Sequence, residues 1–212
     1  MTLIGTPVQW ANLIESLVPE IMDLVISTWK EMSPPPDAYE DPTTEELCRC
    51  LRQNRHNSKL PFRIDIQMVE LDPAVGQDQG RMDIVFSPML PREDIYFCLE
   101  CKRLNVINNG HVRSYATEYV THGMMRFVSG KYSAVGRNGG MLGYVLDGNI
   151  TQAIENVSRI IQNRHLDLGM QPPGHINTST VRPGDSRVRE TQHKRRHNSD
   201  PFQIHHIFVS GT

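Results

Sequence analysis

Three segments between residues 62 and 104 alternate apolar and polar side chains, and this period of two is typical of β-strands. They are FRIDIQMVEL at 62–71, GRMDIVFSP at 80–88 and IYFCLECKRL at 95–104. The stretches between them are short and rich in turn-forming residues. Because short connections join neighbouring strands of opposite direction, the chain is predicted to contain a three-stranded antiparallel meander.

Helical periodicity surrounds this meander. Between residues 10 and 32 apolar side chains recur at helical spacing, and Pro19 is expected either to kink this helix or to begin a second one. The other expected elements, in chain order, are a helix at 41–54, a helix at 112–127, a strand at 139–148, a helix at 150–166 and a strand at 202–210. This order predicts an α/β fold in which helices flank a central mixed sheet.

One domain is expected to span residues 1–212. Its parts are an N-terminal helical extension at 8–32, a core at about 41–148 and a polar, basic insert at about 169–200. Because the insert is polar and contains prolines and many basic residues, it is predicted to be a long loop or a mobile segment.

Composition and the N-terminal segment argue against a membrane-spanning protein and against a secreted one. Apolar residues make up 38% of the chain, and no apolar run approaches the roughly 20 residues that span a bilayer. The N-terminal segment has neither a basic start nor a small-residue cleavage site, so a secretory signal is not expected. We therefore expect a cytoplasmic protein with no membrane partner, whose four cysteines are free thiols.

The segment FCLECKRLN at 97–105 contains two competing motifs. Cys98 and Cys101 have the spacing of a zinc or redox pair, but a strand sends them to opposite faces, so the thiols diverge. Cys48 and Cys50 diverge by about 200° on a helix. A zinc-stabilised protein therefore stays an alternative without a convincing ligand set, and packed thiols are expected.

Glu100 and Lys102 lie two residues apart on this strand and therefore share one face. Asp83 is a lone acid on the preceding strand, and Glu46 stands in the first turns of the preceding helix. Together these carboxylates can hold one or two Mg²⁺ ions, which prefer oxygen ligands. A bound metal lowers the pKa of water and stabilises charge on a phosphoryl group, and Lys102 is placed to orient or help deprotonate that water.

This arrangement resembles the PD-(D/E)xK nuclease superfamily, whose fold is called restriction-endonuclease-like. The resemblance rests on Asp83, on Glu100-Cys101-Lys102 and on Glu46, set in the order helix, three-strand meander, helix, strand. It implies that Asp83, Glu100 and the backbone carbonyl of Cys101 bind Mg²⁺, a role that Mn²⁺ can also fill. It further implies that Lys102 serves the attacking water and that Glu46 adds an outer or second-metal ligand.

Glu46 has a second interpretation. The residues TTEE at 43–46 match a capping box in which Glu46 reaches back to the backbone of Thr43, with Asp41 or Thr43 as the N-cap. The sequence leaves both interpretations open, cap and metal ligand. Met82 stands where the family motif has its proline, which is a departure from that motif.

Basic and histidine side chains outside this set are candidates for phosphate contacts. Three follow the third strand and three belong to the basic segment 182–197; they are Arg126, Lys131, His122, Lys194, Arg195 and Arg196. An ordinary solvated surface is the alternative for both groups. The pair His205-His206 straddles two faces of a strand and is interpreted as structural.

These features predict a magnesium-dependent endonuclease that hydrolyses phosphodiester bonds of nucleic acid, with DNA as the expected substrate. The resemblance also implies a setting such as restriction or anti-phage defence, and a homodimer or a partner subunit of a defence complex. The alternative is a non-catalytic nucleic-acid-binding or assembly module on the same fold, in which the acids are structural.

Overall fold

Seven strands form one mixed sheet within the ranges that the computed structural model describes, which are residues 6–33, 39–69, 80–89, 94–133, 135–196 and 200–211. The order of these strands across the sheet is β1-β2-β3-β6-β9-β8-β7. Two further strands, β4 and β5, pair as a separate hairpin. The strands are β1 Phe62–Val69, β2 Arg81–Pro88, β3 Phe97–Leu104, β4 Val106–Asn108, β5 His111–Arg113, β6 Asn138–Val145, β7 Asn177–Thr178, β8 Val188–Lys194 and β9 Pro201–Ser210.

Helices cover both faces of this sheet, which confirms the predicted α/β class. They are α1 Pro7–Ser16, α2 Val18–Glu31, α3 Glu40–Ser58, α4 Ala116–Glu118, a π-helical segment Tyr119–Met124, α5 Met125–Val128 and α6 Ile150–Asn163. The first three helices pack with one set of buried sheet residues, and the helices at 116–128 and 150–163 pack with another. No helix in the described ranges is long and apolar enough to cross a membrane.

The antiparallel meander is confirmed. β1 pairs with β2 and β2 with β3, both antiparallel, and β3 then runs parallel to β6, as β6 does to β9. Strand alternation is confirmed as well, because Phe97 and Cys101 pack in one core cluster and Cys98 in the other. Pro19 lies in the first turn of α2, where it begins a second helix as one of the two predicted outcomes.

The predicted start of α3 is wrong. The helix begins at Glu40 with Tyr39 as its N-cap, so neither Asp41 nor Thr43 caps it and the capping box does not form. Pro42 is tolerated because the first four backbone N–H groups of a helix have no partner within it. Glu40 and Asp41 in the first turn are favoured there by the helix dipole.

The prediction of a loop throughout 169–200 is also wrong, since this range contains β7 and β8. β8 pairs with β9 along its whole length. Its sequence VRETQHK hides a strand because two of its inward residues, Thr191 and His193, are polar. The β4–β5 hairpin was not predicted either, although its turn residues Asn109 and Gly110 both have positive φ, as a two-residue hairpin turn requires.

A chain of buried polar side chains joins β8 and β9 to the π-helical segment. His206 Nδ1 lies 3.0 Å from the Tyr119 hydroxyl and His206 Nε2 lies 2.8 Å from Thr191 Oγ1. Thr191 Oγ1 is also 2.7 Å from His193 Nε2, and His193 Nδ1 is 2.8 Å from the Leu168 carbonyl. Every ring nitrogen of the two histidines therefore has a partner inside the protein.

Three buried histidines, His193, His205 and His206, make the stability of the fold sensitive to acid. Burial lowers the pKa of His193 and of His205 from 6.5 to about 4, and it lowers that of His206 well below its ordinary value. Because the folded pKa lies below the unfolded one, the stability that neutral histidine provides is complete above pH 6.5 and is lost as pH falls toward 4. At pH 5 this loss amounts to about 2 kcal/mol for each of His193 and His205.

We expect urea unfolding midpoints to fall steeply between pH 7.5 and pH 5. His193→Gln should flatten this dependence even though it lowers stability at pH 7.5, whereas His175→Gln, at an exposed position, should leave the dependence unchanged. A His193→Gln variant whose midpoint changes between the two pH values as much as that of the natural protein would contradict the buried, neutral state of the His193 ring.

Candidate active site

Adjacent strands bring Asp83 to the wall of a cleft and Glu100 beneath it. The pairing of Ile84 with Leu99 places these acids as next neighbours across β2 and β3. A cleft of about 320 Å³ opens there. It is lined by Glu40, Asp41, Gly80, Arg81, Asp83, Lys102, Arg126 and Lys131.

Glu100 lies beneath this cleft and is 0% exposed. Its Oε1 is 2.9 Å from Lys102 Nζ and 2.9 Å from Arg126 Nη1. Its Oε2 is buried and has no hydrogen-bond partner among the described residues. Burial first, and then repulsion by Asp83, raise the pKa of Glu100 to about 7, although both cations act to lower it.

Asp83 is held by the neighbouring strand. Its Oδ2 accepts a hydrogen bond of 2.7 Å from the backbone N–H of Cys101. Burial raises the pKa of Asp83, against the lowering effects of Lys102 and of this hydrogen bond. Asp83 therefore makes ionisation of Glu100 less favourable, and Glu40 has the same effect on Asp83.

Lys102 joins the strand acids to the start of α3. Its ammonium is 2.9 Å from Glu40 Oε1 and donates to the Cys101 carbonyl at 2.7 Å. Glu40 Oε2 in turn accepts from the backbone N–H of Arg103 at 3.1 Å. Burial lowers the pKa of Lys102, but Glu100, Glu40 and Asp83 outweigh it and raise that pKa above its ordinary value. The side chain is therefore a fixed positive charge and not a base at neutral pH.

Arg126 reaches Glu100 from the opposite helix layer. It follows the π-helical segment, and such segments are frequent at functional sites because they change the direction in which helical side chains point. Its Nη1 is 2.5 Å from the Tyr132 hydroxyl, which donates to the Arg81 carbonyl at 2.5 Å. Gly123 lies close to the sheet, and a side chain there would require the end of Met141 to shift.

Four of the predicted site residues thus meet at one place, namely Asp83, Glu100, Lys102 and the backbone of Cys101. Two of the six predicted phosphate contacts, Arg126 and Lys131, line the same cleft. His122 is exposed and is not among the residues that line it.

Glu46 lies elsewhere on α3. Its carboxylate accepts from Arg49 Nε at 2.9 Å and contacts the thiol of Cys50, and the hydrogen bond from Arg49 lowers its pKa. The helical glutamate that reaches Lys102 is Glu40, six residues earlier. Sequence reasoning missed Glu40 because the helix was expected to begin one residue later; the signal that could have found it is the acidic pair directly before Pro42.

The basic segment is also divided by the structure. Arg195 is buried, donates from Nη1 to the Ser133 carbonyl at 2.6 Å and stacks over the Phe202 ring. This placement favours a packing role for Arg195 over a phosphate contact. Lys194 and Arg196 are exposed, and neither is among the residues that line the cleft.

The cleft and the space beneath it offer carboxylate oxygens, the kind of ligand that magnesium prefers. No cluster of three or more His, Cys, Asp or Glu side chains in the described ranges is arranged to hold a metal ion. Mg²⁺ does not require one, because it commonly binds through one or two carboxylates and keeps several waters. Asp83 lines the cleft and Glu100 lies beneath it, and the unpartnered Oε2 of Glu100 is a buried acceptor that a cation would satisfy.

Comparisons with protein-family models, with curated proteins and with solved structures found no match. The cleft must therefore be interpreted from its own geometry.

Replacing Glu100 by glutamine should stabilise the metal-free protein at pH 8. The raised pKa means that the folded state loses stability as pH rises from 4.5 to about 7. The neutral variant avoids this loss, so we expect it to be more stable than the natural protein by about 1–3 kcal/mol at pH 8 and equal to it below pH 4.5. Chemical denaturation in a chelator measures both values.

Glu155→Gln, at an exposed position of α6, is the matched control and should change stability little at either pH. A Glu100→Gln variant that is no more stable than the natural protein at pH 8 would show that Lys102 and Arg126 compensate the buried charge in full.

Proposed function

We propose that this protein is a magnesium-dependent endonuclease of the PD-(D/E)xK type that acts on DNA. The observation that carries the proposal is that Asp83 and Lys102 from adjacent strands line one polar cleft, while Glu100 is buried beneath it and pairs with Lys102. Two features support it further: cations from three elements line the cleft, and the acid beneath it is buried without full compensation. A setting in restriction or anti-phage defence, and a homodimer, are carried by the resemblance alone.

In this proposal Asp83, Glu100 and the carbonyl of Cys101 hold the metal, with Mn²⁺ able to replace Mg²⁺. The bound metal supplies a water of lowered pKa and charge stabilisation at the phosphoryl group. Lys102, as a permanent ammonium, orients the attacking water and stabilises negative charge. Glu40 keeps Lys102 in place, which gives the helical glutamate a positioning role.

Arg126 and Lys131 are then the phosphate-binding side chains. Both line the cleft, and Arg126 is held by Glu100 and by Tyr132 at its rim. A guanidinium matches the oxygens of a phosphodiester with two parallel donors. Arg126 contacts the carboxylate of Glu100, which the metal also needs. We therefore expect Arg126 to exchange its contact with Glu100 for one with a phosphate when metal and substrate bind.

A second candidate function is a nucleic-acid-binding or assembly module without catalysis. The observation that favours it is the closed ion-pair network of the cleft, in which Lys102 already has Glu40 and Glu100 as partners. A purely structural network would make Glu100→Gln destabilising and would leave metal without effect. Thermal unfolding with and without Mg²⁺ separates the two functions.

Magnesium-dependent cleavage of plasmid DNA tests the main proposal. We expect Lys102→Ala to lower the rate by about 10²- to 10³-fold, the range for loss of a group that stabilises negative charge in the transition state, and Glu100→Gln to lower it at least as much. Glu40→Gln should give a smaller loss, because Lys102 keeps its contact with Glu100. Gel electrophoresis of circular and linear DNA, with Mg²⁺, Mn²⁺ or a chelator, gives the rates.

Two other glutamates on α3, the helix that carries Glu40, serve as reference variants. Glu45→Gln is the matched control at an exposed position, and Glu46→Gln should behave like it because the carboxylate of Glu46 faces Arg49. Cleavage that persists in Glu100→Gln or Lys102→Ala, purified in parallel with the natural protein to exclude contaminating nucleases, would end the catalytic proposal.

A further inference from the structure

The β4–β5 hairpin, residues 106–113, extends from the strand that carries the site. Seven of its eight residues are exposed, with Val106 half-buried. Two of the exposed residues are large and apolar: Ile107 is 57% exposed and Val112 is 56% exposed. They are direct partners across the two strands, so they form one continuous apolar face.

This apolar face does not serve the core, because its side chains remain in solvent. A two-stranded hairpin alone is only marginally stable in water, so the hairpin must be held from its base. Asn105 is fully buried there: its N–H donates to the Ser114 carbonyl at 3.1 Å, and its side-chain amide donates to Asp147 at 3.1 Å. The turn at Asn109-Gly110 closes the other end with positive φ at both residues.

The charged side chains of the hairpin segment are all basic, and an acid outside it, Glu118, pairs with one of them. The segment 103–114 contains Arg103, His111 and Arg113 and no acidic residue. Arg103 lies over the Tyr39 ring at 5.5 Å, and Arg113 lies over the Tyr115 ring at 4.3 Å and contacts Glu118 at 3.2 Å. Double-stranded nucleic acid offers partners for both groups. Its phosphates can accept from the guanidinium groups, and its base edges in the grooves can contact the apolar side chains.

The hairpin is also close enough to the cleft to contact the same substrate. Val106 follows Lys102 by four residues, which limits their separation to about 14 Å. The major groove of DNA is about 12 Å wide and admits a two-stranded β-ribbon. A duplex with one phosphate at the cleft therefore presents a groove within reach of the hairpin.

We propose that the β4–β5 hairpin enters the major groove of duplex DNA, with Ile107 and Val112 against base edges and Arg103 and Arg113 against phosphates. This inference rests on the proposed function and names its substrate as double-stranded. The hairpin then selects duplex over single strands and reads apolar base groups such as the thymine methyl.

Fluorescence anisotropy tests the inference, with a labelled duplex of about 20 base pairs, two helical turns, and a single strand of the same sequence. A chelator in the buffer prevents cleavage. The double variant Ile107→Ser/Val112→Ser should bind the duplex at least about 10-fold more weakly, with an unchanged dependence on salt and unchanged binding of the single strand. Arg113→Gln should reduce the slope of log affinity against log salt by about 1.

Leu166→Ser is the matched control, because Leu166 is a 77% exposed apolar residue in a different part of the chain; it should bind like the natural protein. Thermal unfolding should be unchanged in the double variant, since its side chains bury little. A double variant that binds the duplex as tightly as the natural protein would overturn the inference, and so would a natural protein that binds only single strands.

The same experiments separate this inference from the proposed function. If the natural protein cleaves duplex DNA with Mg²⁺ and the double variant does so equally well, the hairpin inference fails and the catalytic proposal stands. If the natural protein binds duplex DNA without cleaving it, and the double variant binds the duplex more weakly, the hairpin inference stands and the catalytic proposal fails. If the natural protein binds no nucleic acid, both fail.

Discussion

The buried carboxylate of Glu100 is the group on which the arrangement of the cleft depends. It lies on a central strand of the sheet, and its Oε1 attracts Lys102 from its own strand and Arg126 from the helix layer above. Lys102 extends the connection to Glu40 at the start of α3. A single side chain therefore ties together elements from both faces of the sheet. An isolated charge in this position would be strongly unfavourable, so these cations are as much a requirement of the fold as candidates for catalysis.

The strand part of this arrangement could be predicted from the sequence. A period of two decides which side chains of 97–104 share a face, and short connections decide that β2 lies beside β3. These two rules place Asp83 near Glu100 and separate Cys98 from Cys101, as the structure confirms. The rules are reliable here because local geometry alone determines the outcome.

The other contacts of the cleft could not be predicted, because they depend on tertiary packing or on the residue at which a helix begins. Glu40 reaches Lys102 since α3 begins one residue before its expected cap, and Arg126 reaches Glu100 by way of a π-helical segment that no periodicity of 3.6 describes. The sequence of β8 shows no strand pattern because its inward Thr191 and His193 are polar and hydrogen-bond to each other. A hydropathy pattern does not reveal a strand whose buried side chains are polar.

Two buried polar clusters now differ in an informative way. In the chain that contains His206 and His193, each ring nitrogen has a partner, and such complete satisfaction is typical of a structural network. At Glu100 one carboxylate oxygen has none, although two cations lie within 2.9 Å of the other. An unsatisfied acceptor persists in a fold only where something else stabilises it or where activity needs it. For this reason a ligand of positive charge is sought at Glu100 and not at His193 or His206.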